Sequence, residues 1–136
     1  MSGLNDIGVQ IQPASTSTHS PAAQALLKEL EMSLETLLAT GKEHSIDLRS
    51  LPLSANDLDY LKTTLGSGEV RVEVDALGRS DVIETGIRGV WWVTHHNSLD
   101  AVMAEFLEVS FCPDIIRAQR DDVRESLDQL SARLCT

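Results

Sequence analysis

GIRGVWWVTHHNSLD, residues 86–100, contains both tryptophans of the chain and two adjacent histidines. If its VWWVTHH segment forms a β-strand, successive side chains point to opposite faces of the sheet. Trp91 and His95 then share one face, and Trp92 and His96 share the other. The alternation therefore predicts one indole in the core and the other on the far face of the sheet, and it separates the two histidines.

The chain before this stretch contains apolar residues at the spacing that is typical of helices. Ser20 and Pro21 are typical of a helix start, the apolar residues that follow recur every three or four positions, and Gly41 is a typical stop. Ser54 and Asp57 resemble a capping box, which predicts a second, shorter helix. The segment between the two helices is predicted to be irregular.

From Gly68 onward the apolar period is two, which is typical of strands. EVRVEVD, residues 79–85 and residues 90–96 are predicted to be three successive strands. Residues 101–111 have a composition that suits a helix as well as a strand, and the short turn before them favours a fourth antiparallel strand.

Pro113 is predicted to end the sheet, and a last helix follows. Its apolar positions are Ile116, Val123, Leu127, Leu130 and Leu134. The order of elements predicts an α+β fold: a four-stranded antiparallel meander sheet with the N-terminal helices and the C-terminal helix packed on one face. Residues 20–136 are predicted to form this single domain, and residues 1–19 a flexible polar lead without the features of a secretory signal.

The net charge and the cysteine content disfavour several classes of function. The net charge of −10 disfavours binding to nucleic acid and to anionic membrane surfaces, and no apolar run approaches the ~20 residues of a membrane span. Cys112 and Cys135 have neither disulfide-framework nor zinc-site spacing. A cytoplasmic location is the simplest interpretation.

Motifs for catalysis and cofactor binding are absent from the sequence, so we expect no catalytic residues and no cofactor. An alternative is a metal or iron–sulfur carrier that uses His95 or His96 together with Cys112, with or without Cys135, since thiolate and imidazole suit iron or zinc. The alternation of the strand places the histidines on opposite faces, which favours a structural role for them.

Partner binding is the remaining interpretation. Arg71 and Glu73 alternate with valines in the first strand, and we expect them on the far face beside the second indole. An apolar strip there would be covered by a loop, by the N-terminal segment, by a dimer mate or by a partner. Trp91, Trp92, Arg71 and Glu73 are therefore the candidate partner-binding residues.

Three runs carry a family resemblance: LGSGEVRVEV, DVIETGIRGVWWVTHHN and FLEVSFCPDIIRAQRDDVRESLDQL. In this order they resemble the C-terminal conserved domain of the HupH/HyaF hydrogenase expression proteins, over about residues 54–134. The resemblance implies a cytoplasmic, non-enzymatic accessory protein for nickel–iron hydrogenase maturation. It also implies a hydrogenase subunit, above all the iron–sulfur-bearing small subunit, or another maturation protein as the partner.

Overall fold

The computed structural model describes residues 20–135, and the predicted polar lead, residues 1–19, lies outside them. In chain order the elements are α1 (Pro21–Thr40), β1 (His44–Asp47), a 3-10 turn (Leu48–Ser50), α2 (Ala55–Leu65), β2 (Arg71–Asp75), β3 (Arg79–Glu84), β4 (Val90–His96), β5 (Val102–Val109), a second 3-10 turn (Asp114–Ile116) and α3 (Arg120–Leu134). This arrangement is α+β, as the sequence predicts.

The five strands form one antiparallel sheet in the order β1-β5-β4-β3-β2. The predicted meander is present as β2 to β5, and the ambiguous residues 101–111 do contain a strand. The prediction of four strands is wrong because β1 pairs with the outer side of β5. β1 has four residues, of which Ile46 alone is buried, so it has no alternation long enough to indicate a strand.

The helix face of the sheet is covered by α1 and α2. Their buried leucines pack against alternate residues of β1, β4 and β5, and the cluster comprises Ala23, Leu26, Leu30, Leu37, Ile46, Leu48, Leu61, Leu65, Val90, Trp92, Leu107 and Val109. Removing this apolar surface from water is the main source of stability at ~25 cal/mol per Å². Trp92 therefore belongs to the helix-packed core.

The opposite face, which we call the far face, carries a smaller apolar cluster. Trp91 packs there with Val82 and Val93, and Phe106 and Ile116 pack against them. Ile116 belongs to the second 3-10 turn, which the fully buried Pro113 introduces. The chain after β5 thus crosses the far face and covers it without a regular element.

The prediction that the C-terminal helix packs on the sheet is wrong. None of the residues of α3 is buried. The apolar side chain that does reach the far face is Ile116, which precedes the helix. Since that turn already covers the apolar cluster, α3 continues beyond it with its own apolar side chains exposed. Among residues 20–135, no helix is both long and apolar enough to cross a membrane.

Candidate protein-binding cleft

A cleft lies on the helix face where the C-terminal end of α2 meets the sheet. Arg71 pairs with Ile83, and Ile83 pairs with Trp92, so these side chains form one row across β2, β3 and β4. Lys62, in the last turn of α2, lies above the indole. We call this the Trp92 cleft; its volume is about 260 Å³, and its lining is Lys62, Gly66, Ser67, Arg71, Ile83, Thr85, Trp92, Thr94 and Glu105.

Trp92 forms the floor of the cleft. Its side chain is 8% exposed, its Nε1 donates to Glu105 Oε2 at 3.0 Å, and Lys62 Nζ lies 5.3 Å from the ring centroid. A cation over an indole contributes roughly 0.5–1 kcal/mol at an exposed site. The hydrogen bond and the cation together hold the ring in one orientation, so the floor is formed before any partner binds.

The basic wall of the cleft consists of Lys62 and Arg71, both exposed. Within residues 20–135 neither forms an ion pair, whereas Arg79 and Arg117 each contact two carboxylates. Lys42, Arg49 and Arg120 are also exposed and in no ion pair of the described chain, so it is their position beside the indole that distinguishes Lys62 and Arg71. Two cations beside an indole are therefore available to an acidic group of a partner.

An acidic row adjoins the basic wall. Glu73 pairs with Asp81, Asp81 with Thr94, and Thr94 with Glu105, so all four side chains point to the helix face one row away from Arg71. Glu73 is exposed, and Asp81 is bound by Arg79. The cleft is thus basic on one side and acidic on the other, which favours a partner with the complementary order of charges.

Two expectations about the tryptophans are corrected here. The two rings do occupy opposite faces, but the far-face indole is not open to a partner, because Trp91 is only 6% exposed under the segment that contains Ile116. Trp91 Nε1 donates to the buried carbonyl of Ser110 at 3.0 Å. Arg71 and Glu73 lie on the helix face with Trp92, because the valines of β2 point to the far-face cluster.

The residues of the metal-carrier alternative do not converge. His95 lies on the far face, where its Nδ1 is 2.7 Å from Ser80 Oγ, and His96 Nδ1 is 3.1 Å from the Arg79 carbonyl oxygen. Val90 and the two histidines lie at opposite ends of β4, and Val90 pairs with the last residue of β5. Cys112 follows β5, so it lies at the end of the sheet away from the histidines. In the described part of the chain no three His, Cys, Asp or Glu side chains are grouped to hold a metal ion.

Asp57 has a structural role at the two helix starts. Its carboxylate accepts from the Ser20 amide at 2.7 Å, the Ser20 hydroxyl at 2.9 Å and the Ser54 amide at 2.9 Å. These hydrogen bonds, foremost the one from the Ser54 amide, lower the pKa of Asp57. The predicted capping box is confirmed, and the same carboxylate joins the start of α1 to that of α2.

Glu108 lies on the far face, opposite Trp91 in β4 and Ser45 in β1. Burial raises its pKa, and the nearby carboxylates of Asp114 and Glu43 raise it further. Arg117 binds both of those neighbours, at 2.9 Å and 3.1 Å. Glu108 is therefore a carboxyl group whose ionised form is disfavoured by the fold, and it lies outside the cleft.

Sequence reasoning missed Lys62 and Glu105. The pairing of Glu105 with Thr94 follows from the β4–β5 hairpin, but the bulge between His95 and His96 shifts the register, which composition does not reveal. Lys62 has the ordinary features of a basic residue in the last turn of a helix. Its position over the indole depends on how α2 docks, and no local pattern indicates that.

The chain matches a protein family and several curated relatives. Residues 21–136 match the family described as HupH hydrogenase expression protein, C-terminal conserved region. The chain is 31% identical over 120 residues to the hydrogenase expression/formation protein HupH of Rhizobium leguminosarum bv. viciae, covering 84% of this chain and 42% of that protein. It is 28% identical over 115 residues to the hydrogenase-1 operon protein HyaF of Escherichia coli (strain K12), covering 82% and 40%.

A solved structure has the same fold. The hydrogenase expression protein HupH from Thiobacillus denitrificans ATCC 25259 superposes with a TM-score of 0.81 at 41% sequence identity, covering 86% of this chain and 98% of that one. The chain spans about two fifths of the length of the curated relatives that it matches. On these matches, the chain belongs to the HupH hydrogenase expression protein family and corresponds to its C-terminal conserved region.

Proposed function

We propose that this chain is a non-enzymatic accessory protein of nickel–iron hydrogenase maturation that acts in the cytoplasm. In this proposal it binds a hydrogenase subunit, the iron–sulfur-bearing small subunit, through the Trp92 cleft. Membership of a family of hydrogenase expression proteins supports the process. The cleft supports the binding role.

The observation that carries the binding role is the pair of cations beside the indole. Lys62 and Arg71 form no ion pair within the described chain, and the Trp92 floor between them is held in place by Glu105. A cleft of about 260 Å³ accommodates one large side chain rather than a folded surface. A polypeptide segment fits this geometry when it inserts an apolar side chain over Trp92 and places an acidic group against Lys62 and Arg71.

The acidic row fixes the direction of that segment. Glu73 and Glu105 lie in the row of side chains next to that of Arg71 and Trp92, so a basic residue of the partner would bind there. Oppositely ordered charges allow one orientation of the partner and repel the reverse one. We therefore expect the affinity for the subunit to fall as salt is added, because exposed charges are screened beyond ~8 Å at physiological ionic strength.

Charge reversal in the cleft tests this proposal. Arg71→Glu, alone or with Lys62→Glu, should weaken binding to purified small-subunit precursor at least about tenfold, equivalent to ~1.4 kcal/mol. Lys42→Glu is the matched control, because Lys42 is an exposed cation that does not line the cleft. Binding would be measured by calorimetry and by pull-down with each subunit separately.

The same variants distinguish binding from folding. Lys62 and Arg71 are exposed, so the thermal unfolding midpoint should stay close to that of the unaltered protein. If both reversals bind the small subunit as tightly as the Lys42→Glu control, the cleft is not the binding site. If the reversals weaken binding to the large subunit alone, the assignment of the partner is wrong.

A further inference from the structure

The apolar face of α3 is unpartnered in the folded chain. Val123, Leu127, Leu130 and Leu134 are exposed by 54, 63, 55 and 79%, and the helix has no buried residue. A 15-residue helix with no buried residue is marginal in water, since helices of ~12–15 residues depend on packing for their stability. The helix therefore gains most of its stability from whatever covers this face.

The spacing of the apolar residues indicates another helix. They follow one another at intervals of four, three and four residues, which is the a/d pattern of a coiled-coil seam. A helix packed on a sheet or in a globular core has a wider apolar stripe of about three positions in seven. We refer to these four residues as the α3 seam.

The seam is self-complementary when two copies pair antiparallel. Aligning Val123 with Leu134 of the second copy also aligns Leu127 with Leu130, so all four residues form consecutive layers. In this register the flanking Arg133 lies beside Ser126 of the second copy, with Asp122 one helical turn further on, and Arg124 lies beside Ser131. No like charges meet across the seam, because Asp121, Glu125 and Asp128 lie on the opposite side of the helix.

Charge also favours the antiparallel arrangement. The helix carries three arginines and four acidic residues, so nearly all of the net charge of −10 lies in the rest of the chain. A parallel pair would place two acidic domains side by side at the start of α3. An antiparallel pair places them at opposite ends of the seam, and the two helix dipoles then oppose each other favourably.

We propose that α3 pairs with α3 of a second copy of this chain, antiparallel and through the α3 seam, to form a two-fold symmetric dimer. The seam is short, and its buried area falls below the ~1,600 Å² of a standard stable interface. The dimer is consequently concentration-dependent. This inference is independent of the partner bound in the Trp92 cleft.

Sedimentation equilibrium of the full chain over a wide range of concentrations tests the pairing. The unaltered protein should change from monomer to dimer as its concentration approaches ~1 mM. Leu127→Glu should abolish the dimer, whereas Gln129→Glu, which adds the same charge outside the seam, should leave it intact. A monomer at every concentration would overturn the proposal, as would equal dimerisation of the two variants.

Disulfide trapping tests the direction of the helices independently of Leu127. In a Cys112→Ser/Cys135→Ser background, a mixture of the Val123→Cys and Leu134→Cys proteins should form a mixed disulfide dimer. Val123→Cys alone should not cross-link, because its two copies are eleven residues apart along the antiparallel seam. Cross-linking of Val123→Cys alone would contradict the antiparallel arrangement, and failure of the mixture to cross-link would contradict the seam.

Discussion

Replacing Trp91 with phenylalanine tests the far-face cluster. The change removes the Nε1–H group that donates to the Ser110 carbonyl at 3.0 Å, at a site where Ser110 is 2% exposed. It also removes part of a ring that packs on the fully buried Val82 and Val93. The carbonyl is left without a donor and without access to water, which is the costly way to lose a hydrogen bond.

The expected loss of stability follows from two contributions. An unsatisfied buried carbonyl costs ~1–3 kcal/mol. The smaller ring leaves roughly 40 Å³, which costs about 1 kcal/mol at ~24 cal/mol per Å³. The sum of about 2–4 kcal/mol is a large part of the ~5–15 kcal/mol of a typical domain. At about 4 °C per kcal/mol, the unfolding midpoint should fall by roughly 8–16 °C.

Trp92→Phe is the matched control, measured by thermal and urea unfolding. Trp92 donates to a carboxylate that is only partly buried, so Glu105 regains water when the donor is lost. We expect this change to cost about 1–2 kcal/mol, mostly from the smaller ring. If Trp91→Phe destabilises the protein no more than Trp92→Phe does, the far-face indole is not enclosed by the chain around Ile116.

Two further predictions concern the pH dependence of stability. The pKa of Glu108 is raised in the fold, so its contribution falls as pH rises from the unfolded value of about 4.3 through the folded one. Glu108→Gln should therefore be more stable than the unaltered protein at pH 7 and indistinguishable from it in acid; equal stability at pH 7 would contradict this. The pKa of Asp57 is lowered, so its contribution is complete above about pH 3.9 and is lost in acid. Asp57→Asn should destabilise the protein at neutral pH by an amount that shrinks in acid, and urea unfolding at several pH values measures both effects.

The parts of the fold that follow from the spacing of apolar residues along the chain were predictable. The two-residue alternation of β4 correctly separates Trp91 from Trp92 and His95 from His96, and the capping box at Ser54 is present. The composition of β5 suits a helix as well as a strand, and the short turn before it correctly favours a strand. These features depend on sequence neighbours, which is why the sequence alone predicts them.

The parts of the fold that depend on how helices and turns pack against the sheet were not predictable. Periodicity identifies the apolar face of α3 but not what covers it, and the prediction that α3 packs on the sheet is wrong because the 3-10 turn at Ile116 already covers that face. The segment that packs over Trp91 is irregular and has no repeating apolar spacing. The sequence therefore does not indicate that it covers the indole. The valines of β2 identify an apolar side of the strand, but they do not indicate whether helices or a turn lie against it. The prediction that Arg71 lies on the far face is wrong for that reason.

Burial of both indoles changes how the binding role has to be tested. Truncating a buried tryptophan to alanine costs ~3–5 kcal/mol, which approaches the whole stability of a small domain. A loss of binding after such a change would report unfolding as much as recognition. Exposed charges contribute ~0–1 kcal/mol to stability, so reversing Lys62 or Arg71 alters what a partner meets and leaves the fold nearly unchanged. In the proposed binding role, the indole would provide a rigid floor, and the charged side chains around it would give the cleft its selectivity.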